Sequence, residues 1–162
     1  MASLFTLRLV LQHAGLRVNL TASEPRGLYL TEQKPWRRSS LVVFRLPARL
    51  SAAALERGYA FLGPTADTAM DGLKRVAALP GDTVVLASNG LTINGSLWPA
   101  SKPLGQDSSG RSIHHYPFGT YRVRHGQVWL LSDNVRGWDS RYFGPLPVSK
   151  IICAAEPLLT IR

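Results

Sequence analysis

Short apolar runs separated by turn residues dominate the chain. Leu41 to Leu46 is one such run, with Arg45 near its end. Leu73 to Leu79 and Thr83 to Ala87 are two more, divided by the turn Pro80-Gly81-Asp82. Runs of this length bounded by Gly, Pro, Asn and Asp predict strands. Asn89-Gly90 and Asn94-Gly95 bracket Leu91-Thr92-Ile93. Asn-Gly supplies the positive φ angles of a type I′ turn, so tight hairpins are expected here. Gln127 to Leu131 predicts a further buried strand, and Val148 to Leu159 one that closes the sheet. Residues 14 to 31 read as a loop feeding a short strand, Gly27 to Leu30. Ser51 to Tyr59 has a serine cap, an alanine-rich body and a glycine stop at Gly58, so it predicts a helix. Residues 97 to 119 are rich in Pro, Ser, Gly and His and predict an extended lobe. The expectation is a mainly β fold.

Composition narrows the class. The 162 residues suit a single domain with a small insertion, and 45% apolar against 18% charged residues excludes a disordered chain. The net charge of +9 fits a basic surface drawn to anionic lipid or to nucleic acid. The arginines are scattered, with Arg37-Arg38 as the tight arginine pair, and no basic-aromatic nucleic-acid motif is present. A membrane surface is therefore the expected partner, and no nucleic acid is expected. No segment is long enough to span a bilayer, because Leu4 to Leu16 is broken by Arg8 and Gln12-His13. The same interruptions, with no clean cleavage site after them, argue against a signal peptide.

The remaining candidate ligands suggest neither a metal nor a cofactor. Cys153, the single cysteine, lies in the apolar run Ile151 to Ala155 and predicts a buried, inert thiol. His114 and His115 are adjacent, so on a strand they point to opposite faces and do not share one metal ion. His125 stands apart, and His13 is expected at the surface.

Two segments carry candidate chemistry. Lys74 leads into Val76, Ala77, Ala78 and Leu79, where desolvation disfavours the ammonium form and makes a neutral general base. A lysine base needs a nucleophile, and Ser23 stands in Asn19-Leu20-Thr21-Ala22-Ser23-Glu24-Pro25-Arg26-Gly27. There Pro25 fixes the chain and Gly27 permits close backbone approach. Arg75 alternates to the other face of its strand and reads as structural. A third segment, Ser132-Asp133-Asn134-Val135-Arg136-Gly137-Trp138-Asp139-Ser140-Arg141, mixes turn residues with buried-looking charge.

Together the three segments resemble the boxes of the Ser-Lys signal peptidases, and most closely their conjugative-transfer (TraF-type) branch, over roughly residues 14 to 155. The resemblance implies Ser23 as nucleophile and Lys74 as base, with Asp139 as a functional aspartate. The Ser23 amide and Thr21 hydroxyl would form the oxyanion hole. Asp133, Ser140 and Arg141 would support the site, with an Asp139–Arg141 ion pair bracing the loop and Ser140 near Lys74. The chain departs from cellular signal peptidases at Glu24, where those enzymes carry Met, a change that bears on the S1′ entrance. It departs again at Gly137, about where they carry a serine that orients the lysine. Ser140, Asp139 or a backbone carbonyl remain open as the group that holds the Lys74 amine.

The resemblance further implies a signal-peptidase-like β fold. Its catalytic core would be 14–82 and 127–162, with a β insertion lobe at 83–126 and an N-terminal segment, 1–13, that is an anchor remnant or marks a shortened chain. Family members usually carry a membrane anchor ahead of the nucleophile. The expected activity is cleavage of an exported protein, a conjugative pilin subunit in this branch, with or without cyclisation, at the periplasmic face of the inner membrane. Two rivals are a cytosolic Ser-Lys autoprotease of the repressor type and an inactive basic scaffold of a transfer machine. Ala14-Gly15 lies too close to Ser23 to serve as the self-cleavage site the first requires, and intact Ser23 and Lys74 count against the second.

Overall fold

The computed structural model describes residues 14–63, 69 and 71–161. The segment 1–13, most of the apolar stretch Leu4 to Leu16, and His13 lie outside these residues. The fold is mainly β. Its strands are β1 (Leu16–Asn19), β2 (Arg26–Glu32), β3 (Leu41–Phe44), β4 (Gly72–Ala78), β5 (Thr83–Ala87), β6 (Gly90–Ile93), β7 (Ser96–Leu97), β8 (Gly119–Arg122), β9 (Gln127–Leu131), β10 (Leu146–Pro147) and β11 (Ile151–Ile161). Helix α1 spans Ala48–Glu56 and the short α2 spans Ser140–Phe143.

The strands form a seven-stranded sheet in the order β1-β2-β11-β3-β4-β9-β10 and a four-stranded sheet in the order β7-β6-β5-β8. All pairings are antiparallel. β3 and β4 are central to the larger sheet, so Val42, Val43 and Val76 are fully enclosed. Ala77, Ala78, Trp129 and Leu131 of this sheet pack on Val84, Leu86, Leu91 and Ile93 of the smaller one. That shared apolar layer removes water from both faces and fixes the sheets against each other.

Two local readings shift. The helix begins at Ala48, three residues before the expected serine cap. Ser51 is buried inside it and accepts from the Ala69 amide, so a tertiary bond rather than a cap uses this hydroxyl. Gly58 does stop the helix, at φ 68°. Asn94 and Gly95 take φ of 49° and 84°, the type I′ geometry joining Ile93 to Ser96. The other turn instead centres on Ser88-Asn89, since Ala87 pairs with Gly90. β1 arises where a loop was expected: its pairing with β2, not its own composition, makes it a strand.

Candidate active site

The Ser23 loop joins β1 to β2, and Asn19, the last residue of β1, organises it. The Asn19 Nδ2 amide donates to the carbonyls of Thr21 (3.0 Å), Glu24 (3.0 Å) and Pro25 (3.1 Å). Its Oδ1 accepts from the Thr21 amide (3.2 Å) and hydroxyl (2.9 Å). The Tyr29 hydroxyl adds a second donor to the Pro25 carbonyl, at 2.5 Å. Gly27, at φ 143°, lies so close to β11 that a Cβ would stand 2.7 Å from Thr160 Cα. A glycine is needed there for β2 to meet its neighbour.

The loop after β9 grips the Ser23 loop as well. Ser132 Oγ donates to the Ser23 carbonyl, and Asn134 Nδ2 donates to the Ala22 carbonyl (2.8 Å). Two successive backbone positions, Ala22 and Ser23, are therefore fixed by side chains distant in sequence, which holds Ser23 in one orientation.

The Ser23 hydroxyl lies 3.2 Å from the Thr21 hydroxyl. Thr21 spends its single proton on Asn19, so Ser23 is the donor in this contact. For Thr21 to stabilise an oxyanion, its hydroxyl must turn away from Asn19. The Ser23 amide makes no hydrogen bond to an acceptor among the described residues.

Lys74 comes from β4, where Val42 of β3 is its partner. It is buried, at 5% exposure, and burial pushes its pKa below the usual lysine value. The charges of Asp139 and Glu24 oppose that shift, and Arg141 adds to it. Its Nζ donates to the Leu73 carbonyl at 3.2 Å, so a backbone carbonyl holds the amine. Ser23 and Lys74 line one cleft of about 480 Å³, together with Thr21, Gly137 and Trp138. No hydrogen bond joins Ser23 to Lys74 among the described residues.

Asp139, expected either to reach Lys74 or to brace Arg141, is fully buried on Arg141. Its Oδ1 accepts from the Arg141 amide (3.0 Å) and Nε (2.8 Å), and its Oδ2 from Arg141 Nη2 (2.7 Å) and the Ser132 amide (3.0 Å). Both oxygens are occupied, so Asp139 acts on Lys74 through its charge alone. Arg141 carries its remaining donors to the carbonyls of Ala100, Lys102, Asn134, Val135 and Gly137. It is the knot of the 132–141 loop. Ser140 accepts from the Leu130 amide (2.9 Å), and no hydrogen bond joins it to Lys74 among the described residues. Asp133 pairs with Arg75 at 2.5 Å on the surface, where such a bond stabilises little.

Glu24 follows Ser23 and is 3% exposed. Burial raises its pKa to about 7 against the opposing charges of Lys74 and Arg75. Asn19, Ser132 and Asn134 are the site residues that motif reading passes over. The spacing Asn19-x-Thr21, an Asx-turn signature, is the one local signal for Asn19.

The other sequence candidates lie outside this constellation. His115 stacks on Phe118, with ring centroids 3.8 Å apart. Cys153 is half-buried, with its thiol pKa pushed up by burial. No group of three or more potential metal ligands occurs among the described residues. No helix among them is long and apolar enough to cross a membrane.

The chain is similar to several known proteins. A plasmid transfer protein TraF of Escherichia coli is 37% identical over 150 residues, covering 91% of this chain and 84% of that protein. A signal peptidase I of Bacillus caldolyticus is 33% identical over 90 residues, covering 51% of this chain and 50% of that one. A crystal structure of a signal peptidase I from Enterococcus faecalis superposes with a TM-score of 0.43 at 20% identity, covering 76% of this chain and 98% of that one. The family model for signal peptidase, peptidase S26, matches residues 2–159, and this chain belongs to that family.

Proposed function

We propose that the protein is a serine endopeptidase in which Ser23 is the nucleophile and Lys74 the general base. The observation that supports this best is the burial of the Lys74 amine in the cleft that Ser23 lines. A desolvated lysine that loses its proton readily can activate a serine without a histidine. Lys74 Nζ takes the Ser23 Oγ proton as Oγ bonds to the substrate carbonyl carbon. The Ser23 amide, with the Thr21 hydroxyl once it turns, stabilises the oxyanion. Collapse breaks the peptide C–N bond, and the Lys74 ammonium returns the proton to the departing amine. Water, or a second amine, then attacks the acyl-enzyme, Lys74 takes its proton, and Ser23 is released with its hydroxyl restored.

The substrate we propose is an exported protein, and specifically a conjugative pilin precursor, since the E. coli relative is a plasmid transfer protein. Work at the periplasmic face of the inner membrane fits the net charge of +9. It also fits the exposed apolar row formed by Val18 and Leu159, which pair with Leu28 from either side. The test is co-expression with a pilin precursor and mass analysis of the product. Wild type should process the precursor. Ser23→Ala and Lys74→Ala should leave it intact while keeping wild-type circular dichroism. Turnover by either variant would overturn the assignment. A product one water lighter than the hydrolysed chain would identify cyclisation.

A further inference from the structure

Four aromatic or aliphatic side chains from three distant segments line the cleft that also holds Ser23 and Lys74. Tyr59 follows helix α1, Leu104 and Ile113 belong to the lobe between β7 and β8, and Trp138 stands between Gly137 and Asp139. All four are half-buried. Polar bonds fix them against one another. The Tyr59 hydroxyl donates to Asp107 Oδ2 (2.8 Å), and Arg57 Nη1 donates to the Ser112 carbonyl (2.8 Å), so the segment after α1 holds the tip of the lobe. The Leu104 amide donates to the Tyr142 hydroxyl (3.0 Å) of helix α2. The Ile113 amide donates to the Gly105 carbonyl (3.0 Å), which keeps Ile113 beside Leu104. The Trp138 ring lies 5.6 Å from that of Tyr59 and 5.1 Å from that of Phe143, tilted against the first and edge-on to the second. Its indole N–H makes no hydrogen bond among the described residues, and it is not an enclosed orphan.

We propose that Trp138 is a specificity-determining residue: with Tyr59, Leu104 and Ile113 it forms a subsite that takes an aromatic side chain of the polypeptide substrate. This rests on the Ser23–Lys74 reading above, which puts the substrate in this cleft. Charge is not what the subsite reads. Asp107 also lines the cleft, but its Oδ1 accepts from the Ser109 and Arg111 amides and its Oδ2 from the Tyr59 hydroxyl and Arg111 Nε. No oxygen of that carboxylate is left for a cationic side chain. What remains is apolar surface around an aromatic cluster. A further ring joining Trp138 and Tyr59 gains the tilted or edge-on contacts that aromatic rings prefer, beyond the gain from apolar area that an aliphatic side chain also makes. The indole N–H can at the same time donate to a carbonyl of the substrate backbone, as the indole of a half-buried tryptophan commonly does.

The test measures binding in the Ser23→Ala protein, so that no peptide is consumed. The chain has four tryptophans, Trp36, Trp98, Trp129 and Trp138, so 15N labelling gives four indole signals, and Trp138→Phe assigns the last. Three N-acetylated heptapeptide amides of alanine are titrated in: one with a central phenylalanine, one with a central leucine and one with alanine throughout. Affinity is read from the backbone amide shifts. The phenylalanine peptide should bind about two- to tenfold more tightly than the leucine peptide and should move the Trp138 indole signal. The preference should persist in Trp138→Phe, which keeps a ring, and vanish in Trp138→Leu, whose folding is checked by its three remaining indole signals. Equal affinity for the phenylalanine and leucine peptides, an unmoved Trp138 signal, or a preference retained in Trp138→Leu would each overturn the subsite. Processing of a pilin precursor by Ser23→Ala or Lys74→Ala would instead overturn the Ser23–Lys74 reading, so the two failures are distinguishable.

Discussion

Ser132 and Gly137 compete for one volume: a Cβ on Gly137 would overlap both Cβ and Oγ of Ser132, and would stand 3.1 Å from the Asn134 carbonyl oxygen. The chain has no room for a serine at Gly137. The nearby hydroxyl belongs to Ser132, and it donates to the Ser23 carbonyl. Gly137→Ala should therefore destabilise the protein by about 2 kcal/mol through overpacking. A double-mutant cycle checks the cause. In a Ser132→Gly background the same substitution should cost little, yet activity should stay low because the tether to Ser23 is gone.

Lys74→Met should be inactive but more stable than wild type at neutral pH, as read by thermal melting. Folding lowers the Lys74 pKa below its ordinary 10.5. The unfolded chain therefore binds more protons than the folded one between the lowered value and 10.5. Over that window wild-type stability rises with pH. The rise should be absent in Lys74→Met, and a wild-type slope there would show that Lys74 is not desolvated.

Asp139→Asn should lower stability and activity together. Both Asp139 and Arg141 are fully buried, and neutralising one member of such a pair leaves the other charge uncompensated, at a cost of about 3–5 kcal/mol. Denaturant unfolding of Asp139→Asn and Arg141→Met measures it. A sharp loss of rate with an unchanged melting temperature would instead assign Asp139 to the base rather than to the loop.

Asn19→Ala removes five hydrogen bonds made by one side chain. Ser23 acylation should fall by at least tenfold, with stability reduced by about 1–3 kcal/mol. Asn19→Asp should not rescue either, because a carboxylate cannot donate to the Thr21, Glu24 and Pro25 carbonyls. Wild-type acylation in Asn19→Ala would show that the loop is ordered by its β9 contacts alone.

For Glu24, folding raises the pKa from 4.5 to about 7, so the folded state binds more protons between those values. Wild-type stability should fall as pH rises through this window, by up to about 3 kcal/mol. Glu24→Gln should flatten that slope, as urea titrations at stepped pH would report. An unchanged slope would place the carboxyl in water.

Strands of self-sufficient pattern were legible from the chain alone. Thr83–Ala87 and Gln127–Leu131 match their expected bounds, because apolar runs cut by turn residues have few other folded solutions. The segments bearing Ser23, Lys74 and Asp139 stood out too, since short motifs keep polar groups at fixed local spacing, and the fold brings Ser23 and Lys74 to one cleft. The amine of Lys74 had three candidate holders in the sequence and one in the fold, the Leu73 carbonyl. Asp139, with a brace or a base-positioning role both open, has its oxygens taken by Arg141 and Ser132. β1 exists because β2 pairs with it, and Ser51 left its capping place for the Ala69 amide. Periodicity and turn chemistry act within a few residues, and these the sequence by itself determined. Burial, partner choice and the charge around Lys74 and Glu24 depend on segments brought together from 109 residues apart, so only tertiary structure could decide them.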